Sequence, residues 1–345
     1  MRVYIRATIV ILLIFMAHQA FAEIPQYESS PSKGPIPHRN EMPLYLFYLQ
    51  LAPEASEVTP RNRFKIDARY AVSNITVSSF TPVSSLYDVQ IDMEISRVTL
   101  DFRYGIYDNL EIALEVPYLG YSSGYLDNFI EGVEDGIGAR TPRSRERQGS
   151  YELDYSIRYN GVFLIQKKDS ANGIGDIALS AKYQLLKQDS GHPLNLSLRT
   201  ALKFPTADKD TFLGTAEFDY GIGLLLDRAF FDRLFVYTGA NVIRIKKPDF
   251  FSVWGMDDYL YTGMFALEYF FTERFSAISQ VTVNSTPYPE SDTNPLDNKG
   301  YELGIGFNYT WKEKTNTSWS FGVVENITAA SSPDVGFHSR LSWKF

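Results

Sequence analysis

The sequence predicts an all-β fold, a closed antiparallel transmembrane β-barrel of about 12 strands. Three observations predict it. Apolar and polar side chains alternate with period two along most of the chain, and connections between the alternating stretches are short and long in turn. Beyond the N-terminus, no segment approaches the roughly 18 uninterrupted apolar residues that a membrane helix needs.

Period two places successive side chains on opposite faces of a strand. Phe64, Ile66, Ala68, Tyr70 and Val72 alternate with Lys65, Asp67, Arg69, Ala71 and Ser73. Val89, Ile91, Met93 and Ile95 alternate with Gln90, Asp92 and Glu94, and the apolar row resumes as Val98, Leu100, Phe102 and Tyr104. That change of parity predicts a phase slip, a β-bulge near Ser96. The same alternation predicts strands over 62–74, 87–104, 110–118, 175–186, 193–204, 216–226, 234–245, 258–270, 275–284, 300–310, 318–326 and 334–345. Chain parity requires an even number, about ten to fourteen within the uncertainty of the boundaries. The further apolar piece Ile157 to Ile165 is therefore assigned to the long loop, as strand extended above the membrane.

Short connections such as 105–109, 227–233 and 271–274 predict periplasmic turns; long ones such as 75–86, 119–174 and 285–299 predict extracellular loops. Arg2 and Arg6, the apolar run from Ala7 to Met16, and Ala20-Phe21-Ala22 predict a signal peptide over 1–22, cleaved after Ala22. Residues 23–60 form a periplasmic N-terminal segment, and 61–345 the barrel with its long loop 119–174.

Aromatic residues make up 15% of the chain, 23 Tyr and 24 Phe among them, which suits strands and interfacial girdles. Removing the signal takes two Arg and no acid, leaving 31 basic against 41 acidic side chains and a net charge of −10. Such a surface does not suit nucleic acid. The absence of cysteine excludes disulfides, thiolate metal sites and cysteine nucleophiles.

The last strand is the sharpest local signal. Val335, Phe337, Ser339, Leu341, Trp343 and Phe345 share one face. An apolar row ending in a terminal Phe resembles the signal by which outer-membrane barrels are recognised for insertion, with Trp343 and Phe345 as its residues.

Several short motifs carry a further resemblance: Gly34-Pro35-Ile36-Pro37-His38-Arg39-Asn40-Glu41-Met42-Pro43-Leu44, Tyr70-Ala71-Val72-Ser73-Asn74, Asp92-Met93-Glu94, Gly124-Tyr125-Leu126-Asp127 and Ile130-Glu131. In this order they resemble an uncharacterised family of proteobacterial outer-membrane β-barrels, domain of unknown function 3187. The resemblance implies a fold and an outer-membrane location, and no catalytic residues. Gly105-Ile106-Tyr107-Asp108-Asn109-Leu110-Glu111 and Gly173-Ile174-Gly175-Asp176-Ile177 resemble turn-and-strand signatures spread across many such barrels.

The lumen-facing row is rich in opposed charges. Its predicted members are Lys65, Arg69, Asp92, Glu94, Arg97, Asp101, Arg103, Glu111, Glu115, Lys182, Arg199, Lys203, Asp219, Glu302, His338 and Arg340, with Asp67 beside them. They suit either a charged pore or a filled interior of cross-strand pairs. The segment 23–60 is Pro-rich and then strongly apolar over Leu44-Tyr45-Leu46-Phe47-Tyr48-Leu49. It suits a plug in the barrel mouth, or equally an extra strand or tether. In the long loop, Leu126, Phe129, Ile130 and Val133 predict a short amphipathic helix, and Arg140, Arg143, Arg145 and Arg147 form a basic run. That run suits lipopolysaccharide phosphate or plain solvation.

An enzyme needs a His beside a Ser or an acid, and after signal removal only His38, His192 and His338 remain. His338 and Ser339 fall on opposite faces, and no metal-ligand cluster appears. The sequence therefore predicts no enzyme and no cofactor or metal. It predicts an outer-membrane barrel of a Gram-negative bacterium, a passive channel or transport-related barrel for a small solute. The alternative is a closed barrel with an envelope-structural or binding role. Its partners would be outer-membrane lipid, lipopolysaccharide and the barrel-assembly machinery.

Overall fold

The structure is a computed structural model that describes residues 33–78, 86–124, 126, 153–189, 191–231, 233–251, 255–288, 291, 293–311, 317–327 and 331–345. The signal segment, the basic run 140–147, and Phe129, Ile130 and Val133 lie outside the described residues.

Twelve strands close into an antiparallel ring. They are β1 (Phe64–Ser78), β2 (Tyr87–Tyr107), β3 (Leu110–Ser122), β7 (Ala178–Leu186), β8 (Asn195–Lys203), β9 (Asp219–Phe230), β10 (Leu234–Arg244), β11 (Tyr259–Phe270), β12 (Phe275–Asn284), β13 (Gly300–Thr310), β14 (Thr317–Asn326) and β15 (Val335–Lys344). Each pairs with the next in that order. β15 returns to β1 in the register Lys65↔Lys344 to Asn74↔Val335, and Phe64 and Phe345 exchange backbone hydrogen bonds at the seam. Closure leaves no backbone edge of the ring unpaired, the condition for crossing hydrocarbon as a sheet. Among the described residues, no helix is long and apolar enough to cross a membrane.

Three shorter strands extend the wall at the loop end. β4 (Asp154–Tyr159) and β5 (Val162–Lys167) form a hairpin on the upper edge of β2, and β6 (Ala171–Ile174) continues the line of β7 beside β3. This hairpin is the Ile157 to Ile165 piece. Its turn, Asn160-Gly161, has φ of 50° and 77°, the paired positive angles that a two-residue hairpin turn requires.

The outer face carries the apolar rows: Tyr70, Leu100, Phe102, Leu114, Ile222, Leu224 and Phe265 are all exposed. Phe275, Phe307, Phe321 and Phe337 step across β12 to β15 with ring centroids 5.8–6.5 Å apart. Trp343 and Phe345 lie on this face, Phe345 at the rim of the short turns.

The predicted phase slip near Ser96 is absent. β1 and β2 pair without interruption from Phe64↔Tyr104 to Ser78↔Gln90. The irregularity in β2 lies instead at Gly105/Tyr107, opposite β3. One odd-numbered row therefore faces inward from Val89 to Arg103. It is apolar at the loop end and charged at the turn end.

Candidate functional site

The site is the lumen, and the chain's own N-terminal segment fills it. Residues 33–60 enter at the turn end, climb to the loop end, reverse, and descend again. The ascending limb begins where Arg340 donates to the Lys33 carbonyl at 3.0 Å and the Lys33 amide to Glu268 at 3.3 Å. Burial, with Lys344 nearby, pulls the Lys33 amine down to about 8. Gln280 donates to the Ile36 carbonyl at 3.0 Å. His38 Nδ1 lies 3.0 Å from His338 Nε2, and His38 Nε2 lies 2.7 Å from Glu302, off the line of a straight hydrogen bond. Arg39 pairs with Glu115 at 2.5 Å, Glu41 pairs with Arg97, and Asn40 donates to the Ser331 carbonyl at 2.9 Å.

The reversal contains the short helix α1 (Pro43–Leu46), with Pro at its start where the missing N–H is not needed. Met42, Leu44, Tyr45, Phe47, Tyr48 and Leu49 are buried against Ile75, Val77, Val89, Ile91, Met93 and Ile95 of the wall, with Phe251, Tyr288 and Leu296 from the loops above. Tyr288 donates to the Leu44 carbonyl at 2.6 Å.

The descending limb is read mostly by charge. The Leu49 amide donates to Asp219 at 2.9 Å, and Lys203 donates to the Phe47 carbonyl at 2.6 Å. Arg199 donates to the carbonyls of Leu51 and Ala52 at 3.1 and 2.7 Å, and Lys182 to that of Ala55 at 3.0 Å. Glu54 receives Arg103, Lys182 at 3.1 Å and Arg199 at 2.7 Å. Burial works to raise the Glu54 carboxyl, but Lys182, Arg103 and Arg199 overcome it and hold the carboxyl well below its ordinary value. Ser56 donates twice to Asp227, and the Thr59 amide donates to Glu111 at 2.6 Å.

Fourteen of the sixteen predicted lumen residues point into this space. Lys65 pairs with Asp67 at 3.0 Å, Asp101 bridges Arg69 and Arg103, and the rest meet the hairpin or each other as described. Asp92 and Glu94 do not: they lie on the outer face of β2, where Glu94 accepts from the Leu126 amide at 3.0 Å. Their misplacement follows from the missing slip. An apolar row reads the same from sequence whether it faces lipid or an apolar plug.

Two lumen acids, Glu268 and Asp227, are not among the predicted residues. Glu268 accepts from Tyr237, Ser276 and Asn308 at 2.5–2.8 Å. It shares a row with Leu260, Met264 and Ala266, a parity that could have exposed it. Asp227 falls in the predicted turn 227–233, whereas β9 runs three residues past it.

Little room is left beside the hairpin. Spaces of about 20, 20 and 30 Å³ border Ile36, Pro53 and Leu46, each enough for a water or two. Among the described residues, no three His, Asp or Glu side chains gather as metal ligands.

A closed β-barrel with its own N-terminal segment packed through the lumen defines a plugged barrel of the outer-membrane type. The chain belongs to the family described as "Protein of unknown function (DUF3187)", whose model matches residues 10–345. The fold is similar to that of the COG4313 outer membrane channel from Pseudomonas putida F1, with a TM-score of 0.57 and 13% identity over 86% of this chain and 100% of that one. The NanC porin gives 0.44 at 10% identity, over 81% and 98%, and the P. putida toluene transporter TodX gives 0.35 at 9%, over 82% and 87%. No curated protein matches the chain.

Proposed function

We propose that the protein is an outer-membrane channel for a small solute, shut at rest by residues 33–60. The observation that carries this reading is the hairpin itself, which spans the lumen from turn end to loop end and meets the wall through both charge and apolar burial. A filled barrel with no need to open can be packed by wall side chains alone. Here the filling is a separate segment, joined to the wall covalently only at β1.

Energetics make the resting state shut. Six apolar side chains leave their pocket when the reversal is withdrawn, at about 1.5–3 kcal/mol each, on the order of 10 kcal/mol together. Spontaneous opening is therefore rare, and the passive, steadily open pore is the weaker form of the channel idea. The same apolar core favours one other reading, a barrel shut permanently with a structural or binding role.

Deleting residues 34–51 and recording single-channel conductance in planar bilayers separates the two. Stable openings in the deletion variant, absent from the full chain, support the channel. A folded variant that stays non-conducting returns the protein to the structural reading. Export through cleavage after Ala22, outer-membrane residence in a Gram-negative envelope, insertion guided by Trp343 and Phe345 through the assembly machinery, and contact with lipid and lipopolysaccharide belong to the same proposal.

A further inference from the structure

We propose that Arg103, Lys182 and Arg199 form a binding site for a carboxylate-bearing solute, occupied at rest by Glu54, so that solute binding and hairpin release compete. The idea deepens the gated-channel reading and rests on it for the link to opening.

Three cations from three different strands, β2, β7 and β8, converge on one carboxylate of the hairpin. Strands of a closed sheet hold such groups rigidly, so the arrangement persists when the carboxylate leaves. Arg103 and Lys182 retain a wall partner in Glu111, at 3.0 and 3.1 Å, and Arg103 retains Asp101 at 2.9 Å. Arg199 differs. Its side chain is 3% exposed, and among the described residues Glu54 is its only carboxylate partner, the amide oxygen of Asn241 being its polar contact on the wall. Withdrawing Glu54 thus leaves Arg199 without a counter-charge, and a solute anion supplies one. The guanidinium fork suits a planar carboxylate with two parallel hydrogen bonds.

Access also differs from the rest of the lumen. The Glu54 side chain is 19% exposed, against 1% for Glu41 and 2% for Glu302. At the turn rim an open groove runs among Arg61, Tyr107, Asp108, Gln184 and Lys187, with the outward-facing Leu185 at its edge. Gln184 stands in the same row of β7 as Lys182, one inward position nearer the rim. That row joins the rim groove to the cation cluster. The solute carboxylate would take the place of Glu54, and the backbone carbonyls of Leu51, Ala52 and Ala55 would lose their donors as Arg199 and Lys182 turn to it.

The test uses the full mature chain in detergent, with glucuronate as probe and glucose as its neutral counterpart, followed by calorimetry. Glu54→Gln removes the internal competitor. The variant is expected to bind glucuronate about tenfold tighter or more, the weight of one charge-assisted hydrogen bond, while glucose binds neither protein. Adding Arg199→Gln to Glu54→Gln is expected to remove the gain, with heat-modifiable migration on gels showing that both variants are folded. Equal glucuronate affinity in wild type and Glu54→Gln, or glucose binding as well as glucuronate, would overturn the site. Bilayer recordings distinguish this failure from that of the channel. Enhanced binding without conductance in any condition supports the site and sinks the channel. Openings in the 34–51 deletion with no response of the full chain to glucuronate do the reverse.

Discussion

Ile36 of the hairpin occupies a hollow in the wall that exists because residue 322 is glycine. A Cβ at Gly322 would stand 2.6 Å from Ile36 Cδ1 and 3.3 Å from its Cγ1, and one at Gly306 would stand 3.1 Å from the same Cδ1. Gly322→Val fills the hollow. Overpacking of this kind costs about 1–3 kcal/mol, which weakens docking of the ascending limb roughly five- to hundredfold. Open probability in bilayers should rise accordingly. Adding Ile36→Ala makes room for the valine, so the double variant should open less often than Gly322→Val alone. An equally high open probability in both would show that the hollow does not seat the plug.

The Glu41–Arg97 pair joins the hairpin to β2 in a place where both side chains are nearly sealed from water. Breaking a buried pair by removing one partner costs about 3–5 kcal/mol, whereas replacing both partners with apolar groups costs far less. Glu41→Gln should therefore lower the temperature at which the barrel loses its compact gel migration. Glu41→Leu with Arg97→Met should restore most of the loss. A Glu41→Gln variant as heat-resistant as wild type would mean that water reaches Arg97 after all.

Most of the ring was legible because a barrel strand has to be greasy on one face to sit in lipid, and period two survives in sequence for each strand. The four residues Val89, Ile91, Met93 and Ile95 show where legibility ends. Their row is in phase with Arg97, Asp101 and Arg103, so the plain reading is one unbroken inward face that changes from charged to apolar. Choosing it needs knowledge of what lies inside, and that is set by a segment some 40 residues upstream in the chain. The charged lumen residues were found by parity. Their partners Arg39, Glu41 and Glu54 lie in a stretch with no period at all, where nothing local says which wall residue each one meets.

Glu54 gives the docked hairpin a pH dependence with a definite sign. Docking holds its carboxyl well below the ordinary 4.5, so the undocked segment takes up a proton first as pH falls. The contribution of Glu54 to docking is complete above about 4.5 and is lost as pH drops through the lowered value. The part of closed-state occupancy that depends on Glu54, read as the difference between wild type and Glu54→Gln, should stay flat from pH 8 to about 5 and shrink only on stronger acidification. Glu54→Gln, which has no proton to gain, should flatten that acid limb. A conductance rise centred near neutral pH, unchanged by Glu54→Gln, would assign gating to other groups.

The native chain has no cysteine, so a single engineered pair can report whether the hairpin has to move. Ile36→Cys with Gly322→Cys places a sulfur where Ile36 Cγ1 now stands, 3.3 Å from the position of the new Cβ. That brings the two engineered side chains within reach of a disulfide. Under mild oxidation the two should cross-link across nearly 300 residues of chain, visible as faster migration after denaturation without reductant. The linked protein should neither open at acid pH nor respond to glucuronate, because the ascending limb is tied to β14. Dithiothreitol should restore both responses within one recording. Channels that open while the bond is intact would show that solute passes beside the hairpin, and withdrawal of residues 33–60 would no longer be the gating step.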